Sequence, residues 1–293
     1  MTRAQSILLT CDGSKAIIST LGAEALRWRI DDKDLLWTPD PAIWDRTSPI
    51  LFPTVGWCRD GHTRIDGRIH QMPVHGFAAS QIFEIAESTS SKVVLVLRDN
   101  TTTRSHYPFA FELRVTYTLS AAELTTELVV TNNDDRQLPV AFGFHPGFAL
   151  PFAGGDMSDY HVEFEQVEGP RVPVIAPGGL FSNDRRDTPL RGKILPLSAQ
   201  AFEQEAMCFL DCRSRSLKLV RTGHGSITLS VQNLQHLAIW SKPGASFVSL
   251  EAWSSHGDRV GFSGELHEKP GMRILAAGQS ASCQAVFAYH PEA

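Results

Sequence analysis

Strict alternation of apolar and polar side chains over residues 112–130 constrains this chain more than any other feature. In ELRVTYTLS, Leu113, Val115, Tyr117 and Leu119 fall on one side of an extended backbone, and Arg114, Thr116 and Thr118 fall on the other. A strand turns successive side chains to opposite faces, so the pattern makes one face to bury and one to leave wet. ELTTELVV continues it after a short Ser-Ala-Ala break, which predicts a hairpin. SLKLV and SITLSVQ flank Thr-Gly-His-Gly and predict a second hairpin, with glycines supplying positive φ. Further strand candidates are Lys92–Arg98, Tyr160–Phe164, His236–Trp240, Phe247–Leu250 and Ala285–Tyr289. Helical period is confined to a turn or two around Ser198–Met207.

A chain with this many strands and almost no helix is expected to be all-β, a large antiparallel β-sandwich. Its 17 prolines and 22 glycines fall mostly between strands. No repeat, linker or low-complexity tract divides it, so residues 1–293 are expected to form a single domain. The net charge of −5 comes with no long run of Lys or Arg, which argues against nucleic-acid and membrane partners. MTRAQSILLTCDGSK has only a short apolar run, Ile7–Leu9, too short for a signal peptide, and no stretch reaches the ~20 apolar residues of a membrane span. The five cysteines match neither a disulfide framework nor a zinc ribbon. A cytoplasmic protein with reduced thiols is expected.

Several residues sit where packing alone does not ask for them. His75, in PVHGF, lies between a stiff Pro entry and a glycine. His145, in FGFHPGF, is held extended by Pro146 at the end of an apolar run. Each is equally at home as a packed ring bonded to backbone. Glu251 interrupts the apolar pattern FVSLEAW, where Phe247, Ser249, Glu251 and Trp253 share one face. A half-buried carboxylate there is either a hydrogen-bond hub or a general base. Trp57 and Arg59, two residues apart, offer an apolar ring face and a guanidinium fork, or simply a rim residue and a surface charge. No His, Cys, Asp or Glu spacing predicts a metal site, and no phosphate-binding or dinucleotide fingerprint is present.

Taken in order, these motifs resemble the aldose 1-epimerase (galactose mutarotase-like) family, in particular its bacterial branch of shorter sugar epimerases. The blocks are STLGAEALRWRIDDKDLLWTPDPAIW, SPILFPTVGWCRDGHTRIDGRIHQMPVHGF, GFHPGFALPF, FEQEAMCFLDCRSRSLKL and LEAWSSHGD. Together they run nearly end to end. The resemblance implies a large β-sandwich and interconversion of the α and β anomers of a free sugar through the open-chain aldehyde, with no metal or organic cofactor.

Carried over by motif, Glu251 takes the proton from the C1 hydroxyl, His145 protonates the ring oxygen and His75 helps to hold it. The chain departs from the family twice. Trp57 stands where an Arg often follows the Gly, with Arg59 two residues on. Glu205 stands where an Asp often precedes the Ala-x-x-Phe strand. Both departures, with Trp253 beside Glu251, touch the expected sugar-binding surface. Two alternatives remain open. One is a hexose-6-phosphate 1-epimerase using Arg59 and Arg64 for the phosphate; the other is a non-catalytic sugar-binding or sensor module. The expected partner is a small-molecule sugar, and the expected assembly is a monomer or homodimer.

Overall fold

The computed structural model describes residues 3–291. Its largest element is a nine-stranded sheet in the order Ile194–Pro196, Tyr160–Phe164, Ser216–Arg221, Gly225–Gln232, Ser280–His290, Glu123–Asn132, Phe111–Leu119, Lys92–Arg98, Glu84–Ser88. A second sheet runs Met207–Phe209, His236–Trp240, Phe247–Trp253, Gly143–Phe144, Ile50–Leu51, and Gly147–Ala149 also pairs with Phe247–Trp253. A four-stranded meander, Ser6–Cys11, Ser14–Ser19, Ala25–Ile30 and Lys33–Asp34, precedes both. Neighbouring strands within these sheets pair antiparallel. The architecture is an antiparallel β-sandwich.

The predicted hairpin forms as Phe111–Leu119 with Glu123–Asn132, and its buried positions alternate along both strands. Leu113 and Val115 are fully buried, as are Val248 and Leu250 of the second sheet, and all four join one apolar cluster between the sheets. Each such side chain contributes roughly 1.5–3 kcal/mol on burial. Phe148 of the second sheet meets Phe287 of the first edge-on at 5.4 Å. The Tyr117 hydroxyl donates to the Ala23 carbonyl at 2.7 Å, tying the meander to the same core.

Three strands predicted from sequence have the predicted bounds: Lys92–Arg98, Tyr160–Phe164 and His236–Trp240. Two run longer, Phe247–Trp253 and Ser280–His290. The predicted helical turn near Ser198–Met207 is a single 3₁₀ turn, Ala199–Phe202. One α-helix, Thr101–His106, was not predicted. The Asn100 side chain starts it by accepting from the Thr102 and Thr103 amides, while Thr103 closes a capping box. All five cysteines are free thiols, and four of them are buried. Among the described residues no helix is long and apolar enough to cross a membrane.

Candidate active site

The strand Phe247–Trp253 is buried along its whole length because both of its faces are covered. Val248, Leu250 and Ala252 point into the main core. The odd-numbered residues face the other way, where Phe247 and Trp253 belong to separate small clusters lining a cleft. On one side Ala238 lies opposite Glu251 and Trp240 opposite Ser249. On the other side, Gly143–Phe144 and Gly147–Ala149 pair with this strand in one unbroken register across Pro146. That register sets His145 directly across from Glu251. The Leu250 amide donates to the Pro146 carbonyl at 3.2 Å, so the interruption leaves this ladder bond in place.

His145 Nε2 lies 3.4 Å from Glu251 Oε1. The other carboxyl oxygen, Oε2, accepts from the Trp253 indole at 3.1 Å. His145 Nδ1 lies 2.9 Å from Ser249 Oγ, which itself donates to the Pro146 carbonyl at 2.8 Å. The serine hydroxyl has only one proton, so it accepts from Nδ1–H. Neutral His145 therefore carries its proton on Nδ1 and turns a bare Nε2 toward Glu251.

His75 completes the group, with its ring 5.4 Å from that of His145 and nearly perpendicular to it. His75 has φ of 62°, left-handed backbone that a histidine rarely adopts. The surrounding loop enforces it: the His75 amide donates to the Gly56 carbonyl, and the Gly56 amide donates back to His75 Nδ1 at 3.2 Å. Gly76 follows at φ 77°, and a Cβ there would lie 2.1 Å from the Phe52 carbonyl oxygen, so only glycine fits. With Nδ1 accepting, neutral His75 presents Nε2–H as a donor.

Burial sets the electrostatics. It pushes the Glu251 carboxyl up to about 8, opposed only weakly by the Trp253 hydrogen bond. Burial also holds His145 well below the usual imidazole range, with the neighbouring His75 adding to the effect. His75 is brought down to about 4 by burial. Between those limits the Glu251–His145 pair holds a single proton, which either partner can carry. Such a pair can exchange a proton reversibly with a molecule placed between its members.

The cleft has a volume of about 980 Å³, and its wall includes His75, His145, Glu251, Trp57, Glu205 and Trp253. Six of the seven residues predicted from sequence therefore meet there. Arg59 does not. It opens the 3₁₀ turn Arg59–Gly61, with its guanidinium 3.4 Å from Asp60 and its backbone amide held by Asp258. Arg64 lines a different, smaller cavity of about 320 Å³.

The cations on the cleft wall are Arg46 and Lys242, which the sequence reading did not single out. Arg46 reaches Glu24 at 3.5 Å and the Ala79 carbonyl at 3.1 Å, and Lys242 donates to the Ile43 carbonyl. Trp44 and Trp240 enclose His145, with ring centroids at 5.0 and 5.5 Å. His236–Trp240 was expected as a strand, but only the pairing of Trp240 with Ser249 reveals that its ring faces the cleft. Among the described residues no three His, Cys, Asp or Glu side chains converge as a metal-binding group.

The sequence model described as "Aldose 1-epimerase" matches residues 5–287, and the chain belongs to that family. Protein LacX (plasmid) of Lactococcus lactis subsp. lactis is 31% identical over 268 residues, which is 86% of this chain and 88% of LacX. A galactose mutarotase-like protein from Lactobacillus casei superposes with a TM-score of 0.91 at 28% identity, covering 98% of this chain and 100% of its own. A galactose mutarotase related enzyme from Lactobacillus acidophilus gives 0.90 at 27% identity, over 98% and 97% of the two chains.

Proposed function

We propose that this protein is a cofactor-independent aldose 1-epimerase acting on a free, uncharged sugar. The observation that carries the reading is the buried pair itself: a bare imidazole nitrogen facing a carboxyl oxygen at 3.4 Å, both lining a cleft wide enough for a sugar. Hydroxyls of a bound sugar donate to the Glu251 carboxylate and favour its ionised form, moving the shared proton to His145. Glu251 then takes the proton from O1, the C1–O5 bond breaks, and His145 gives its proton to O5. His75, with Nε2–H exposed, steadies the ring oxygen. After rotation about C1–C2 the same two transfers run backwards and close the ring on the other face. Each positioned group supplies ~10²–10⁴-fold.

The charge on the wall favours a neutral sugar over a sugar phosphate. Arg46 and Lys242 are offset by Asp45 and Glu205, which also line the cleft, and the cations already have partners. The test is polarimetry on freshly dissolved single anomers of several aldoses. Acceleration over the spontaneous rate, proportional to protein concentration and unaffected by chelators, supports the reading. Binding without acceleration of any sugar would replace it with a sugar-binding module.

A further inference from the structure

Resting on the mutarotase reading, we propose that the preferred substrate is a reducing disaccharide. Its reducing ring lies at His145 and Glu251, and its second ring stacks on Trp57. The first observation is size. Ligand pockets run from roughly 300 to 1,000 Å³ and enclose molecules of drug size, and this cleft, at about 980 Å³, lies at the top of that range, with room beyond a single hexose.

The second observation is Trp57. Among the described residues it is the one aromatic side chain in the set of exposed large hydrophobics, at 48%. Trp44, by contrast, is engaged by protein rings, stacked on Phe247 at 5.1 Å and tilted over His145. One edge of the Trp57 indole packs on the turn Pro177–Gly178–Gly179 of the hairpin formed by Arg171–Ala176 and Leu180–Asp187. A Cβ at Gly179, where φ is +73°, would lie 1.9 Å from Trp57 Cδ1. The Trp57 carbonyl accepts from the Asp258 amide at 2.8 Å, and Asp258 Oδ2 accepts from the Arg59 amide at 2.7 Å. An exposed aromatic ring is thus held in place at a cleft mouth beside Val74, itself 38% exposed. Rigid apolar ring faces suit the C–H face of a sugar at low entropic cost.

A second ring linked through O4 leaves the reducing ring on the side away from C1, so it does not compete with the acid–base pair. The chemistry at the reducing ring is unchanged. O1 loses a proton to Glu251, C1–O5 breaks, O5 gains a proton from His145, and the glycosidic bond is untouched.

The experiment compares kcat/KM for glucose, galactose and glucose 6-phosphate with that for maltose, cellobiose and lactose, by polarimetry and exchange NMR. At least one disaccharide is expected to exceed the monosaccharides by about tenfold, the worth of one good ring stack. In Trp57→Ala that ratio falls toward one, mainly through KM, and Trp57→Phe retains most of it; thermal melting controls for folding. Turnover of monosaccharides or the phosphate at equal or higher kcat/KM overturns the proposal while leaving a mutarotase, as does a disaccharide preference that survives Trp57→Ala. No turnover of any sugar overturns the mutarotase reading and this proposal with it.

Discussion

Two buried ionisable clusters sit a few residues apart, one at Glu251 and one at Asp258, and they are built in opposite ways. Asp258 Oδ1 meets Lys269 Nζ at 2.7 Å, with both side chains almost fully buried, and Oδ2 takes the Arg59 amide. Lys269 also reaches Cys58 Sγ at 3.6 Å. Glu251 has no cation; its contacts are the Trp253 indole and an imidazole that burial keeps neutral. Burying a charge costs several kcal/mol unless it is paired and hydrogen-bonded. The paired cluster sets acid against base and ties down the loop that carries Trp57. The unpaired one answers by holding its proton, which brings its titration close to neutrality and makes it useful for proton transfer. The contrast separates scaffold from chemistry within one stretch of chain.

The largest expected effect comes from breaking the unpaired cluster. Glu251→Gln keeps the shape and the acceptor for Trp253 but takes no proton, and His145→Asn loses the titrating ring. Each is expected to lower kcat by a factor on the order of 10² or more, and the double variant to fall little below the worse single one, because both serve the same step. Initial rates corrected for spontaneous mutarotation, with circular dichroism as the folding control, decide it. Folded variants near the wild-type rate would sink the assignment.

Breaking the paired cluster is expected to hit stability instead. Lys269→Met leaves Asp258 buried without its cation and is expected to cost about 3–5 kcal/mol in denaturant unfolding. Adding Asp258→Asn removes the stranded charge and is expected to recover most of that loss. A single variant costing under ~1 kcal/mol would mean that the pair does not organise the loop.

The pH dependence sharpens the same contrast. The pair works only while it holds one proton, so kcat/KM is expected to be bell-shaped. It falls on the alkaline side near the Glu251 value of about 8. On the acid side it falls below the usual imidazole range, where His145 takes a second proton. Stability moves the other way for Glu251. Its folded value lies above its unfolded value, so its contribution is complete below about 4.5 and is lost as pH rises to about 8. Glu251→Gln removes that loss. Its unfolding free energy, from denaturant titration, is expected to gain on the wild type as pH rises from 5 to 8, by several kcal/mol in order of magnitude. A gap that stays constant with pH would contradict the displaced carboxyl.

What the sequence made legible follows the same physics. Hairpins with one wet face announced themselves by alternation, as in Phe111–Leu119. Phe247–Trp253 was expected as a strand only to Leu250, although FVSLEAW already put Glu251 and Trp253 on the face of Phe247 and Ser249, because a strand covered on both faces shows no alternation to mark its end. The helix Thr101–His106 went unread because it is one short turn-and-a-half held by its Asn100 and Thr103 caps rather than by an apolar stripe. His75, His145 and Glu251 stood out because each is costly or unusual where it sits. Arg59 is not on the cleft wall, because nearness in sequence to Trp57 does not decide where a side chain ends: its amide is held by Asp258 and its guanidinium lies beside Asp60. Arg46, Lys242 and Trp240 reach the cleft through pairings between distant segments, which one sequence does not display.

Ser249 offers the smallest and most selective test. Its hydroxyl is fully buried and joins an acceptor to a donor, giving its proton to the Pro146 carbonyl and accepting from His145 Nδ1–H. Ser249→Ala leaves Glu251, His145 and the cleft wall in place, so sugar binding and KM are expected to change little. The imidazole loses the partner that keeps its proton on Nδ1, and part of the population shifts it to Nε2, where it blocks the bare nitrogen facing Glu251. The lost hydrogen bond is worth about 1–1.5 kcal/mol, so kcat is expected to fall roughly tenfold. The imidazolium also loses an acceptor, so the acid limb of kcat/KM is expected to move to still lower pH. Histidine ¹⁵N NMR reads the tautomer directly: His145 protonated on Nδ1 in the wild type and divided between the two nitrogens in the variant. An unchanged His145 spectrum, or a loss that falls on KM and melting temperature rather than kcat, would make Ser249 a packing residue and leave the tautomer to other contacts.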